Sequence, residues 1–505
     1  MKIILILIIT LIALYAFSAY ISYQDLLLYY GLLAVIPIVF VYLKRNLLNG
    51  LLIWFFLLLF KYGLYNYGTG LIKVPMMPDP HIERIMWLAV YSIFLMELLL
   101  GQRRMTAGIT FIELTMMSLC IYIIFSMILS GTIFDKEKGL TLNTLLSGYV
   151  VPFSIFFLSQ NLIDNEERTR KVFLFFIMIG TYLSVTGIAE YFKWNSLVFP
   201  KYIMSPWIGI HYGRARGPFL QATVEGTVLG MILFMTFYIF TFTNKAWKKI
   251  CLSLLMILIL TTVLFTMQRA SWLGVIIPLF LIPIFFKQAR TVIIMGYLAL
   301  AIFGFTQYAS DSLKLSSYSA GDEAREESIV KKISGRTTAG GSVYGRINLY
   351  ITAWKMFTER PLMGFGYNSY GEHNRQYMGP VKGIPYKGVI SAENTLHDSW
   401  MSILVELGLV GMSLILFILF FVLRISMKLY SILPREGFYS KKFIVIFWAI
   451  AVVYFFNSML VQMNYFLFPN AMFYLMCGIL VGLYKRMKIG DSSCKDQTRL
   501  SSFPV

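Results

Sequence analysis

Charge is scarce in this sequence. Only 14% of its 505 residues are Asp, Glu, Lys or Arg, against about 25% in a soluble globular chain. That scarcity excludes an ordinary cytosolic enzyme, and 58% hydrophobic residues exclude a disordered chain as well. Acidic residues are the rarer sign, 25 against 44 basic, for a net charge of +19. In a water-soluble domain such an excess would point to nucleic acid. Here the apolar composition makes basic loops against anionic lipid the better account, so no nucleic-acid partner is expected. Cysteine is rare too: Cys120, Cys251 and Cys477 fall in apolar runs and Cys494 in the tail. No CxxC pair or disulfide framework follows from them, and no Cys/His cluster has the spacing of a zinc site. The outer segments also lack an Asp-x-Asp motif, so neither a metal nor another cofactor is expected.

What the chain does have is apolar runs of membrane-spanning length. Spans are read near 3–20, 25–43, 47–64, 85–101, 106–130, 145–163, 172–192, 222–243, 250–267, 271–286, 291–308, 398–423, 443–465 and 467–484. The expected fold is therefore an all-α polytopic membrane protein of about fourteen transmembrane helices. Alternating the loops puts both termini in the cytoplasm. The cytoplasmic links then carry 23 basic residues, among them Lys44, Arg45, Arg103, Arg104, Arg168, Lys171, Lys245 and Arg486, against 10 in the short outer loops. This asymmetry is the positive-inside rule. Residues 1–20 have the look of a signal peptide, but an uncleaved first helix is the preferred reading.

One loop is too long for a simple connection. Residues 309–396 separate helices 1–11, within residues 1–308, from helices 12–14, within residues 397–490; residues 491–505 form a cytoplasmic tail. The stretch 317–342 is small, polar and charged. After it, Ile347, Tyr350, Ile351, Trp354 and Phe357 recur at helical spacing and predict an amphipathic helix over 343–358. Arg360-Pro361 should stop that helix and Gly364-Phe365-Gly366 should turn the chain. Docked on the outer mouth of the bundle, such a loop would cover a cavity and exclude water.

The outward charges are few. Arg214 and Arg216 precede the eighth span, Arg269 lies between spans nine and ten with almost no polar loop around it, Arg346 opens the amphipathic helix, and His397 begins the twelfth span. Arg269 is the most informative, because a guanidinium at or below the interface needs a partner or an aqueous cavity. It is either a structural or snorkelling charge, or a clamp whose planar fork matches phosphate oxygens. Of the alternating pair, Arg216 is favoured for a site because Gly217-Pro218 fixes the backbone beside it. His397, in the first helical turn with Asn394 or Thr395 as cap, would be kept neutral by the positive helix end and so suit a general base. An interfacial histidine bonded to a carbonyl is the plain alternative, and Glu393 is a rival base. Asp398 should serve the helix terminus rather than the ring. Glu97 and Glu113 are read as partners of Arg103 and Arg104, and Glu406 as hydrogen-bonded within the bundle.

Four elements resemble the O-antigen ligase and polymerase family: Gly345-Arg-Ile-Asn-Leu-Tyr350 continuing to Tyr370, Leu396-His-Asp-Ser-Trp400 continuing to Met412, Arg214-Ala-Arg-Gly-Pro-Phe219, and Gln268-Arg-Ala-Ser-Trp-Leu-Gly274. Their order and the large outer loop match as well, so the resemblance covers roughly residues 170–485. Two positions depart from the family's pattern: His397 is followed by Asp398 where Asn is common, and Phe219 is followed by Leu-Gln rather than Asn-Pro.

The resemblance implies a fold of the GT-C type and a metal-independent, inverting glycosyltransferase of the bacterial cytoplasmic membrane with an extracytoplasmic site. The donor it implies is a glycan on undecaprenyl diphosphate. The acceptor is a hydroxyl on another lipid-linked glycan or on lipid A–core, and a chain-length regulator is a further partner. Carried onto this chain, Arg216 and Arg269 bind the diphosphate, Arg214 and Arg346 assist donor binding, and His397 or Glu393 handles the acceptor hydroxyl. A lipid-linked oligosaccharide flippase is the rival class, but no internal repeat of the kind such transporters show is evident.

Overall fold

The computed structural model describes residues 46–61, 82–103, 105, 108–132, 139–286, 341–379 and 396–489. The expected spans near 3–20, 25–43 and 291–308, the choice between a cleaved and an uncleaved first segment, and Glu393 lie outside the described residues. Within them every regular element is helical. In chain order the α-helices of seven residues or more are α1 (Leu47–Leu59), α2 (Ile82–Leu99), α3 (Phe111–Leu129), α4 (Gly139–Leu145), α5 (Val151–Leu162), α6 (Glu166–Tyr191), α7 (Ala222–Thr241), α8 (Ala246–Phe265), α9 (Arg269–Phe285), α10 (Gly341–Glu359), α11 (Ser399–Ile432), α12 (Lys441–Ser458) and α13 (Leu467–Ile489). A π-helical turn, Leu146–Val150, joins α4 to α5. Among the described residues, eight helices are long and apolar enough to cross a membrane.

Local chemistry fixes the helix ends. Asn165 caps α6 by accepting the Arg168 amide at 2.9 Å, and Glu166 and Glu167 follow in the first turn, where negative charge suits the helix dipole. At α3, Thr110 and Glu113 form a capping box. Two helices are the axis of the bundle: α7 and α13 each have an apolar stretch 94% buried, whereas that of α8 is 28% buried and faces outward. A helix apolar on all sides and enclosed by others belongs at the centre.

Several charged groups inside the bundle are paired. Lys485 Nζ donates to Glu113 Oε1 at 2.6 Å and to Gln160 Oε1 at 2.9 Å. Glu97 takes Arg103 Nε at 2.7 Å, as the sequence predicts. Glu113 does not join Arg103, because its carboxylate is committed to Lys485 and to Thr110. Arg486 donates to the carbonyls of Gln160 and Ile163, both at 3.2 Å. These contacts, together with Arg103, Arg168 and Lys171, mark a basic end of the bundle. At ~1.5 Å per residue, α6 carries the chain ~39 Å from there to the opposite end.

The longest helix is interrupted. Gly408 in α11 has φ 63° and ψ −163°, and residues 361–366 fill the break. Phe365 N donates to Val405 O at 3.0 Å and Gly366 N to Glu406 O at 2.9 Å, while Leu409 N and Val410 N donate to Pro361 O and Leu362 O at 2.9 and 3.2 Å. A Cβ on Gly408 would lie 2.3 Å from the Leu362 carbonyl oxygen, so only glycine allows this approach. The preceding α10 packs on α11 through Ala353 and Met356, which join Phe365, Tyr370, Leu396 and Val405 in a small separate core. Trp354, one of the apolar stripe, is 56% exposed. The close-packed position beside it went to the smaller Ala353.

Candidate active site

The end of the bundle opposite the basic end carries Arg214, Arg216, Arg269 and His397. Ala215, between Arg214 and Arg216, donates its N–H to Phe265 O at 3.0 Å, which ties the 214–216 loop to the turn leading into Arg269. Arg269 is the first residue of α9, and Ser271 in the same turn donates to Asn457 Oδ1 at 3.0 Å near the end of α12. From there Ser458 accepts Trp400 Nε1 at 3.1 Å, and Ser399 Oγ donates to Val461 O at 2.9 Å. His397 stands immediately before these residues. A bonded rim thus runs from Arg214 through Arg269 and the end of α12 to His397.

Arg216 is placed differently from the expectation. It is buried at 0% exposure, and its fork is occupied by the protein. Its Nε donates to Glu190 Oε1 at 2.9 Å, Nη1 to Ile208 O at 2.8 Å, and Nη2 to Ile203 O and Ser205 O at 2.8 and 2.6 Å. The other Glu190 oxygen accepts the amides of Arg216 and Gly217 at 2.9 and 2.8 Å. A guanidinium so engaged organises the 203–217 loop, and a diphosphate would have to break that network to reach it. Arg214 and Arg269 are each half-buried on the same rim.

Glu190 was not among the candidates. A carboxylate in the last turn of α6 opposes the helix dipole and therefore calls for compensating donors, which was the available signal. Glu225 is fully buried beside this pair, with neither carboxyl oxygen hydrogen-bonded among the described residues. A Cβ on Gly217 (φ 53°) would come within 2.5 Å of Glu225 Oε2, so the loop backbone lies directly on that carboxyl.

His397 lies outside the helix rather than in its first turn. Asp398 is the N-cap of α11, accepting the amides of Trp400 and Met401 at 2.8 and 3.0 Å; it replaces Asn394 and Thr395 in that role because its carboxylate reaches both donors. His397 is consequently exposed, in a left-handed conformation with φ 55°. The Asp398 carboxylate also accepts the Tyr350 hydroxyl at 2.8 Å, which fastens α10 to the start of α11. Arg346 lies one turn before Tyr350 in α10, and its side chain is outside the described atoms. At the far end of α10, Tyr377 donates to Glu359 at 2.6 Å, and the carboxylate acceptor raises the tyrosine above its ordinary pKa.

Backbone strain collects on this rim. The non-glycine residues with positive φ among the described residues are Lys193, His211, Leu220, Met267, Asn368 and His397. All lie in the connections at this end. Such conformations cost about 1–3 kcal/mol each and persist where the surroundings over-determine them.

Fold and rim together define a polytopic α-helical membrane protein with an arginine- and histidine-bearing mouth at one end. The family model for O-antigen ligase matches residues 254–416, and this supports assigning the chain to the O-antigen ligase/polymerase family. The matched segment contains Arg269, Arg346 and His397 and the interrupted part of α11; Arg214 and Arg216 precede it. No curated protein matches the chain.

Proposed function

We propose that this protein is a lipid-linked glycosyltransferase of the bacterial cytoplasmic membrane. It transfers or polymerises a glycan carried on undecaprenyl diphosphate at the outer face, in a fold of the GT-C type, with both termini cytoplasmic. The division into helices within 1–308, an outer loop over 309–396, helices within 397–490 and a cytoplasmic tail belongs to the same proposal. The observation that supports it is the bonded rim, which joins the segments carrying Arg269 and His397 at one end of the bundle, within the stretch that matches the family.

Chemistry follows from that arrangement. The acceptor hydroxyl, on another lipid-linked glycan or on lipid A–core, attacks the anomeric carbon as the bond to the diphosphate oxygen breaks, with inversion. Negative charge grows on the departing diphosphate, and fixed cations in a water-poor site stabilise it without a metal. Arg269 and Arg214 supply that charge, Arg346 orients donor or loop, and Arg216 acts by holding the loop that carries Arg214. His397 accepts or positions the acceptor proton, with Glu393 as the rival base. A chain-length regulator would act on product size from outside this site.

The test is an assay of the purified full-length protein with lipid-linked repeat, with and without lipid A–core, in EDTA. Longer lipid-linked glycan identifies a polymerase and modified lipid A–core a ligase. Movement of the lipid-linked repeat between leaflets with no new glycosidic bond overturns the proposal in favour of a flippase.

A further inference from the structure

At the basic end, ~39 Å along α6 from the rim, lies a cavity of about 370 Å³ between the starts of α1 and α6 and the ends of α2 and α5. That volume falls in the range of small-molecule sites. Its polar lining is Asn46, Arg103, Asn165, Glu167, Arg168 and Lys171. Three cations and one carboxylate line it, and because Glu97 and Asp164 just outside the lining neutralise Arg103 and Arg168, its positive character rests on Lys171, held by a neutral amide, and on the helix ends. Each cation is also held in place: Arg103 by Glu97 and Arg168 by Asp164, both at 2.7 Å, and Lys171 by the amide oxygen of Asn49. The N-terminal ends of α1 and α6, capped by Asn46 and Asn165, add their positive dipole ends to the same space.

We propose that this cavity binds the phosphate of an anionic phospholipid from the leaflet at the basic end. Oxyanions match the ligand chemistry: the Lys171 ammonium, with the guanidinium N–H groups that Arg103 and Arg168 do not give to Glu97, Asp164 and Leu162, around a recess large enough for a phosphodiester. Location selects the lipid over a soluble anion. The remaining lining is leucine at the ends of apolar helices, so a headgroup here would leave its acyl chains against the bundle. Anionic lipid is also the counter-charge that a basic membrane face collects. Bound there, the lipid would bridge α1 and α2 to α6, the helix whose other end supplies Glu190 to the rim.

The experiment is native mass spectrometry of the full-length protein from mixed micelles with equal phosphatidylglycerol and phosphatidylcholine. We expect phosphatidylglycerol to be retained preferentially. Lys171→Gln and Arg168→Gln should each reduce that retention by about fivefold, the effect of about one basic residue at an anionic surface. Exposed Glu167→Gln removes the one lining carboxylate, and should increase retention without disturbing the fold. Equal retention of both lipids, insensitivity to Glu167→Gln, or displacement of phosphatidylglycerol by millimolar inorganic phosphate would overturn the assignment. The measurement involves no glycosyl transfer, so its outcome is independent of the proposed activity.

Discussion

The Tyr350 hydroxyl and the Asp398 carboxylate, 48 residues apart in the chain, meet at 2.8 Å. Through that contact the amphipathic helix holds the cap of the helix that His397 precedes. Tyr350→Phe should therefore leave the fold intact and cost about 1 kcal/mol. Asp398→Ala should cost about 1 kcal/mol more, through loss of the cap. Turnover should fall in the same order, and faster amide exchange at residues 396–402 would report the loosening. Wild-type turnover in both variants would contradict a positioning role for the pair.

Glu190 and Arg216 should behave as one structural unit. Removing either partner leaves the other charged and buried, a loss of about 3–5 kcal/mol. Glu190→Ala and Arg216→Ala are thus expected to lower yield and melting temperature together. The decisive variant is Arg216→Lys, which keeps the charge but cannot span four acceptors. If it melts like wild type yet binds donor poorly, the guanidinium touches the diphosphate after all.

For the clamp, Arg269→Lys should reduce turnover roughly 10²-fold, the usual effect of losing one donor to a developing anion. Lipid-linked donor should accumulate while protein level holds. His397→Ala should lower kcat by about 10²–10⁴-fold with donor binding retained, as for loss of a general base. Equal losses of binding and turnover would reassign the histidine to substrate binding.

Gly408→Ala places a Cβ against the Leu362 carbonyl at a backbone angle that alanine resists. The expected result is detachment of residues 361–366 from α11, read as new protease cleavage in that loop with the other helices still protected. An uncut loop would mean that the break tolerates a side chain.

Long apolar runs made the helices legible in the sequence, because lipid leaves the backbone no alternative to internal hydrogen bonding. The amphipathic helix and its stop at Arg360-Pro361 were legible for the same local reasons. What periodicity could not reveal depends on distant partners. Gly408 within an apolar run gives no sign that six loop residues will lie against it. Arg216 looks as available in the sequence as Arg214, since nothing local marks Glu190 as its partner. His397 reads one turn deeper in the sequence than it stands in the structure because several nearby residues can cap a helix, and the choice of Asp398 is settled by Tyr350 and by the two amides it reaches.

The left-handed residues of the mouth also bear on how this protein can change. Valine or isoleucine fits such backbone angles poorly, so drift at Leu220, Met267, Asn368 and His397 is confined to side chains that tolerate them. Engineering for altered glycan choice has more room at the neighbours of these residues than at the residues themselves, whose conformation sets where the neighbours stand.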